Sequence, residues 1–227
     1  SGEQMACALI AGRLNHLGYK SRSWMSWQVP ILTEGDHSSA RINEIKQNNI
    51  KKYLELGGIP IVTGFQGINV HQRITTLSRG GSDASAIMIA KFFKAEKCVI
   101  YTDVIGVMTT DPRIYKKAKI IKAISYEEML EMTSLGSKVM QTISIQDARL
   151  NRINIDVKSS FIKKDGTLIT KRKNIINNNI ITGISSTKSD AKVTLVGVKD
   201  KPGVAASVFK PLSQNYINID MVVQTSS

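Results

Sequence analysis

The sequence predicts an α/β layer fold around a mainly parallel sheet, and three observations carry that reading. Apolar runs of strand length alternate with segments of helical period through roughly the first two-thirds of the chain. Hydrophobic residues make up 42% of the 227 positions and charged residues 22%, the balance of a chain that buries a core. No apolar run reaches membrane-spanning length. Cys7 and Cys98 stand far apart and outside any CxxC or Cys/His cluster. That argues against a zinc site or a disulfide framework and fits a reducing, cytoplasmic setting.

The elements follow in order. Met5 to Leu17 reads as a helix, with Met5, Ala8, Leu9, Gly12 and His16 at helical spacing and Gly18 ending it. Tyr19 to Met25 is extended. Ile42 to Leu56 reads as a second helix stopped by Gly57-Gly58. Ile59 to Thr63 and Ile74 to Leu77 are apolar strands, and Ser82 to Ala95 is a helix with Ser82 as its N-cap. Cys98 to Tyr101 is a buried strand, Tyr126 to Thr133 and Lys138 to Leu150 are helices, and Ile153 to Ser159 alternates as a strand. Lys171 to Asn179 is basic, Asn-rich and aperiodic, a linker or surface excursion. Val193 to Val198, Pro202 to Ser213 and Ile217 to Val223 then form one β-α-β unit. The expected division is 1–170, a linker over 171–191, and 192–227.

Lys and Arg number 31 against 18 Asp and Glu, a formal charge of +13. This raises an anionic partner. The clusters Lys116/Lys117/Lys119/Lys122, Lys163/Lys164 and Lys171/Arg172/Lys173 are short, however, and lack interleaved aromatics. They make a weak nucleic-acid footprint. His16, His37 and His71 have no metal-ligand spacing. Trp24 and Trp27 read as packing anchors, and Glu127, Glu128 and Glu131 as a solvated helix face.

Four segments carry chemistry. In Thr75-Thr76-Leu77-Ser78-Arg79-Gly80-Gly81-Ser82-Asp83 a strand enters a diglycine turn and a helix begins. Glycines admit a ligand to the backbone, and the helix start offers unpaired N–H groups. Arg79 is a bidentate donor for a carboxylate or phosphate, and Asp83 an acceptor for an ammonium. A plain capped turn also fits these residues. Gly64-Phe65-Gln66-Gly67 follows a strand and reads as a loop, where α/β sheets place ligands; a simple turn fits as well. Tyr101 to Arg113 opens from a strand into a loop of Thr, Asp and Arg, suited to ribose and phosphates or to solvent. Lys138 at a helix start opposes the dipole, which an intervening phosphate would relieve; an exposed lysine also fits.

Taken together and in order, these segments resemble the aspartokinases, of the amino-acid kinase superfamily. Ser1-Gly2-Glu3, Gly64-Phe65-Gln66-Gly67, Thr76 to Asp83, Tyr101-Thr102-Asp103-Val104, Gly106-Val107, Thr110-Asp111-Pro112-Arg113 and Gly136-Ser137-Lys138-Val139 all match family motifs. Asp200-Lys201-Pro202-Gly203 and Asn218-Ile219-Asp220-Met221-Val222 resemble the family's first ACT regulatory module. The resemblance implies a three-layer αβα, carbamate kinase-like catalytic domain followed by a partial ferredoxin-like ACT module.

It implies phosphorylation of aspartate by ATP with Mg2+. Glu3, Arg79, Ser82 and Asp83 would hold aspartate. Thr102, Asp103, Met108, Asp111, Arg113 and Lys138 would line the ATP site, Met108 standing where the family often has Tyr. Asp200, Ala205, Asn218, Ile219, Asp220 and Gln224 match effector positions for lysine or threonine. Pairing of ACT modules implies a homo-oligomer. The family begins on a strand carrying Lys-Phe/Tyr-Gly-Gly, whose Lys steadies the transferring phosphoryl group. The expectation is that these 227 residues, cut short at both ends relative to the family, do not turn over alone. A regulatory remnant and a kinase for glutamate, acetylglutamate or a nucleoside monophosphate are the alternatives. No nucleic-acid or membrane partner is expected.

Overall fold

The computed structural model describes residues 1–137, 139–175, 180–186, 191, 193–195, 197, 201–215, 217, 219 and 222. The chain divides into two compact units, Ser1–Ser186 and Thr187–Ser227. The first holds strands β1 (Ser21–Trp24), β2 (Ile31–Glu34), β3 (Arg41–Ile45), β4 (Ile59–Val62), β5 (Gln66–Ile68), β6 (Ile74–Thr76), β7 (Cys98–Thr102), β8 (Ala123–Ser125), β9 (Ile155–Ser159) and β10 (Thr167–Thr170). Its helices are α1 (Gly2–His16), α2 (Asn48–Glu55), α3 (Gly81–Phe92), α4 (Tyr126–Ser134) and α5 (Thr142–Asn151).

The α/β class is as expected, but the sheets are mixed rather than mainly parallel. One has the order β7-β9-β10-β8, with β7 and β9 parallel, β10 antiparallel to β9 and β8 parallel to β10. A second has the order β3-β2-β5-β6 and two antiparallel pairings. β1 and β4 make a two-stranded parallel sheet.

Helix α3 joins two hydrophobic clusters. Ile87 is fully buried with Ile100, Ile124, Met129, Ile155 and Ile169. Met88 belongs to the other cluster, with Val29, Ile31, Ile45 and Ile50. Each fully buried aliphatic side chain contributes about 1.5–3 kcal/mol. A helix apolar on two sides is held from both, and this fixes where its N-terminus points.

Several elements differ from expectation. Residues 42–45 are strand, not helix: Arg41–Ile45 pairs antiparallel with β2, and only Asn48–Glu55 is helical. β3 is an edge strand that exposes Asn43 and Glu44 and buries Ile45, so its sequence lacks a strand's alternation. β2 was not expected at all. The apolar stripe of α1 faces solvent, with Met5 64% and Leu9 72% exposed, while Cys7 and Ala11 are buried. Gln66-Gly67 belongs to β5, so the loop after β4 is only Thr63 to Phe65. Ser82 does not cap α3: Gly80, at a left-handed φ of 80°, is the N-cap, and Ser82 lies inside the first turn. α5 begins at Thr142, beyond Lys138.

Glu128 is no solvated residue. It closes a capping box with Ser125, pairs with Arg172 and accepts from the Thr182 hydroxyl at 2.7 Å. Partial burial would raise its carboxyl, but four donors, the Ser125 N–H and hydroxyl, Thr182 and Arg172, outweigh that and hold it down at about 2. Residues 171–175 and 180–186 thus lie with the first unit. In the second unit α6 (Val204–Gln214) starts from Gly203 at φ 92°. The strands expected at Val193–Val198 and Ile217–Val223 fall partly on residues outside those described.

Candidate active site

The diglycine turn meets the entry to α5 and the loop after β4. Gly81 N–H donates to Ser78 O at 2.9 Å, and Gly80 adopts the left-handed backbone that glycine accepts most readily. A side chain on Gly80 would strike Gln141, at the entry to α5, and Ser144 Oγ donates to Gly80 O at 3.4 Å. The loop after β4 closes on the same point. A Cβ on Gly64 would lie 3.5 Å from Ser82 Cα, and Phe65 N–H donates to Ser85 Oγ at 3.0 Å. From α1, Gln4 Nε2 donates to Gln66 Oε1 at 3.0 Å, which brings the first turn containing Glu3 to β5.

The structure therefore gathers the segments of Glu3, Arg79, Ser82 and Asp83, and joins to them the Gly64–Gln66 segment. Glu3 is half-buried, while Arg79 and Ser82 are exposed. Asp83, in the first turn of α3, is half-buried, and desolvation raises its pKa. Among the described residues neither Arg79 nor Asp83 forms an ion pair. An unpaired guanidinium and an unpaired, partly desolvated carboxylate thus flank one helix start. That arrangement suits a zwitterion, whose carboxylate and ammonium satisfy both.

The second group lies between β7 and β8. Thr102 ends β7 and its hydroxyl donates to Asp103 Oδ1 at 3.1 Å. Gly106, at φ 148°, presses on Thr167, whose Oγ1 accepts from Val107 N–H at 2.8 Å. Met108 bridges antiparallel to Ile120, so the expected loop is in part a ribbon. Asp111 turns the chain, and Arg113 forks onto it through Nε at 3.0 Å and Nη2 at 2.7 Å. That carboxylate raises the pKa of Arg113. Ile184 N–H donates to Thr109 O at 2.8 Å, tying the end of the first unit to this ribbon.

Thr102, Asp103, Met108, Asp111 and Arg113 share this excursion, while Lys138 lies outside the described residues. Ala205 is in the first turn of α6 and Ile219 is exposed; Asp200, Asn218, Asp220 and Gln224 lie outside the described residues. Sequence reasoning missed Gln4, Ser85, Gln141 and Ser144. For Ser85, Gln141 and Ser144 the only signal of a close approach is the Gly80-Gly81 pair they contact, and for Gln4 there is none. A concavity of about 190 Å3 beside β8, β9 and β10, lined by Lys122, Lys158, Asp165 and Thr167 among others, contains no expected site residue. Among the described residues no cluster of three His, Cys, Asp or Glu could hold a metal, and no helix is long and apolar enough to cross a membrane.

The fold is of α/β type, and the chain belongs to the amino acid kinase family, whose pattern matches residues 1–159. Residues 193–227 match the ACT domain. The chain is similar to an aspartokinase of Bacillus sp. (strain MGA3), 40% identical over 227 residues, all of this chain and 55% of that relative. It therefore spans about half the length of the relatives it matches. It superposes on E. coli aspartokinase III in complex with aspartate and ADP (R-state) with a TM-score of 0.75 at 25% identity, over 99% of this chain and 51% of the other. The same enzyme with lysine and aspartate (T-state) gives 0.73 at 25% identity over the same shares.

Proposed function

We propose that this chain is the greater part of the catalytic domain and the start of the regulatory region of an aspartate kinase. Residues 1–170 serve catalysis, 171–191 connect, and 192–227 begin an ACT module. The whole protein converts ATP and L-aspartate to ADP and 4-phospho-L-aspartate, the first step toward diaminopimelate, lysine, threonine and methionine, in the cytoplasm.

One observation carries the reading. Arg79 and Asp83, both without an ionic partner among the described residues, stand on either side of the Gly80-Gly81 turn. Arg79 takes the α-carboxylate and Asp83, with Glu3, the ammonium, while Ser82 lies at the helix terminus. The side-chain carboxylate of the substrate is then the free nucleophile. Its oxygen attacks the γ-phosphorus in line as the bond to the ADP oxygen breaks. A carboxylate is already ionised at neutral pH, so no general base is needed, and catalysis reduces to positioning and charge stabilisation.

Thr102, Asp103, Met108, Asp111, Arg113 and Lys138 take ATP. The ion pair of Arg113 with Asp111 holds the guanidinium in one geometry, exposed for a phosphate. Mg2+, held by the ATP phosphates, would supply neutralisation of the charge on the transferring group. Lysine or threonine acts through Asp200, Ala205, Asn218, Ile219, Asp220 and Gln224, and paired ACT modules make the protein a homo-oligomer. The aspartate, ADP and lysine held by E. coli aspartokinase III support these assignments.

The test is calorimetric titration of the chain with L-aspartate and L-glutamate. It is joined to hydroxylamine trapping of the acyl phosphate formed by the whole protein. Binding selective for aspartate, lost in Arg79→Ala and Asp83→Asn, is the expected result. Equal binding of glutamate, or aspartate binding indifferent to both substitutions, overturns it.

A further inference from the structure

Ser85 sits one turn into α3 and is 1% exposed. Its Oγ donates to the Gly81 carbonyl at 2.7 Å and accepts from Phe65 N–H at 3.0 Å. A hydroxyl has one proton. With that proton on Gly81 O, a lone pair is what Ser85 offers Phe65, so the Phe65 N–H must point toward α3. The Gly64–Phe65 peptide is trans, and its carbonyl therefore points the opposite way.

Phe65 has a φ of 65°, a left-handed backbone rare for an aromatic residue. Such strain persists where the surroundings over-determine it. Here three contacts do so: the Ser85 hydroxyl, the Leu77 N–H donating to Phe65 O at 2.9 Å, and the ring against Gly81, where a Cβ would meet Phe65 Cδ2 at 2.9 Å. Gly64, next in the chain, lies against Ser82.

We propose that Ser85 is a positioning residue for the amino-acid substrate: its hydroxyl locks the Gly64–Phe65 peptide against the first turns of α3 and so shapes the site that Arg79 and Asp83 flank. The inference rests on the reading of that site as the aspartate site. Ser85 touches no substrate; it acts through Phe65. The nucleotide ribbon after β7 is held by other bonds, through Thr167 and Ile184. The effect is therefore selective for one ligand.

The experiment compares the unaltered chain with Ser85→Ala and Ser85→Thr. Alanine favours helix, so α3 is retained. In Ser85→Ala the Phe65 amide loses its protection from hydrogen exchange and aspartate binds about tenfold more weakly by calorimetry, with ATP affinity unchanged. Ser85→Thr, which keeps the hydroxyl, restores both. Protection retained in Ser85→Ala, aspartate affinity unchanged, or aspartate and ATP affinities falling together each overturn the proposal. Absence of aspartate binding by the unaltered chain, with Phe65 still protected, overturns the proposed function and takes the role of Ser85 with it. That outcome is distinct from a lost latch with aspartate affinity intact.

Discussion

Gly80 lies directly against Gln141: a methyl group on Gly80 would sit 2.2 Å from Gln141 Cγ and 2.7 Å from its Cβ. The contact spans 61 positions and sets the entry of α5 on the start of α3. Gly80 also has a φ of 80°. Gly80→Ala therefore meets two penalties, a left-handed backbone and an overlap, and is expected to lower stability by about 1–3 kcal/mol. Urea unfolding checks it, with the midpoint falling at constant slope. Adding Gln141→Ala removes the overlap with Cγ but keeps the Cβ at 2.7 Å and the left-handed backbone, so the double variant recovers only part of the loss.

Thr33 on β2 and Thr75 on β6 share a buried hydroxyl–hydroxyl hydrogen bond of 2.6 Å across β5, the strand that lies between them. Either Thr→Val change alone leaves a buried hydroxyl unpaired, at a cost of about 1–3 kcal/mol. The double Val variant removes both polar groups and is expected to lie closer to the unaltered protein than either single variant. A double-mutant cycle by chemical denaturation measures this.

Glu128 ionises in the folded chain at about 2, below its unfolded value. A depressed carboxyl stabilises the fold above the unfolded pKa and loses that contribution as pH falls through the folded one. The stability gap between the unaltered chain and Glu128→Gln is thus constant near neutrality and closes from the ordinary glutamate range down toward pH 2. Denaturation midpoints across that window test it; a gap independent of pH would refute it.

Burial, with the charge of Asp83 added to it, pushes the Cys98 thiol up to about 11. In a Cys7→Ser background the ultraviolet titration of the thiolate is expected near that value. Asp83→Asn brings it down, since a negative neighbour disfavours thiolate, but burial as the larger cause keeps it above the ordinary thiol range. No movement in Asp83→Asn would place Asp83 out of electrostatic reach of β7.

Local rules made part of this legible. Tyr126 to Thr133 is helical because its apolar positions fall at helical spacing, and Ser125 with Glu128 caps it. Cys98 to Tyr101 is a strand whose Cys98 and Ile100 alternate inward. The Gly80-Gly81 pair marks the passage from β6 to α3 in sequence and structure alike. The failures share one cause. Ile42-Asn43-Glu44-Ile45 becomes a strand because β2 offers it a partner and cluster burial takes Ile45; neither fact is local. Ser82 has the chemistry of a cap, but the left-handed Gly80 starts α3 two residues earlier, with no side-chain cap.

The sequence by itself determined the residue types and order of the site: Arg79 and Asp83 around two glycines, and Thr102 to Arg113 after a buried strand. These are properties of adjacent residues, and short-range sterics and charge decide them. Only the tertiary structure decided that Gly64, Ser85, Gln141 and Ser144 converge on that turn and that Gln4 joins Gln66 on β5. Such contacts join positions far apart in the chain, and no period or propensity encodes them. They exist because α3 is buried on two sides, through Ile87 and Met88, and packing leaves its N-terminus one place to point.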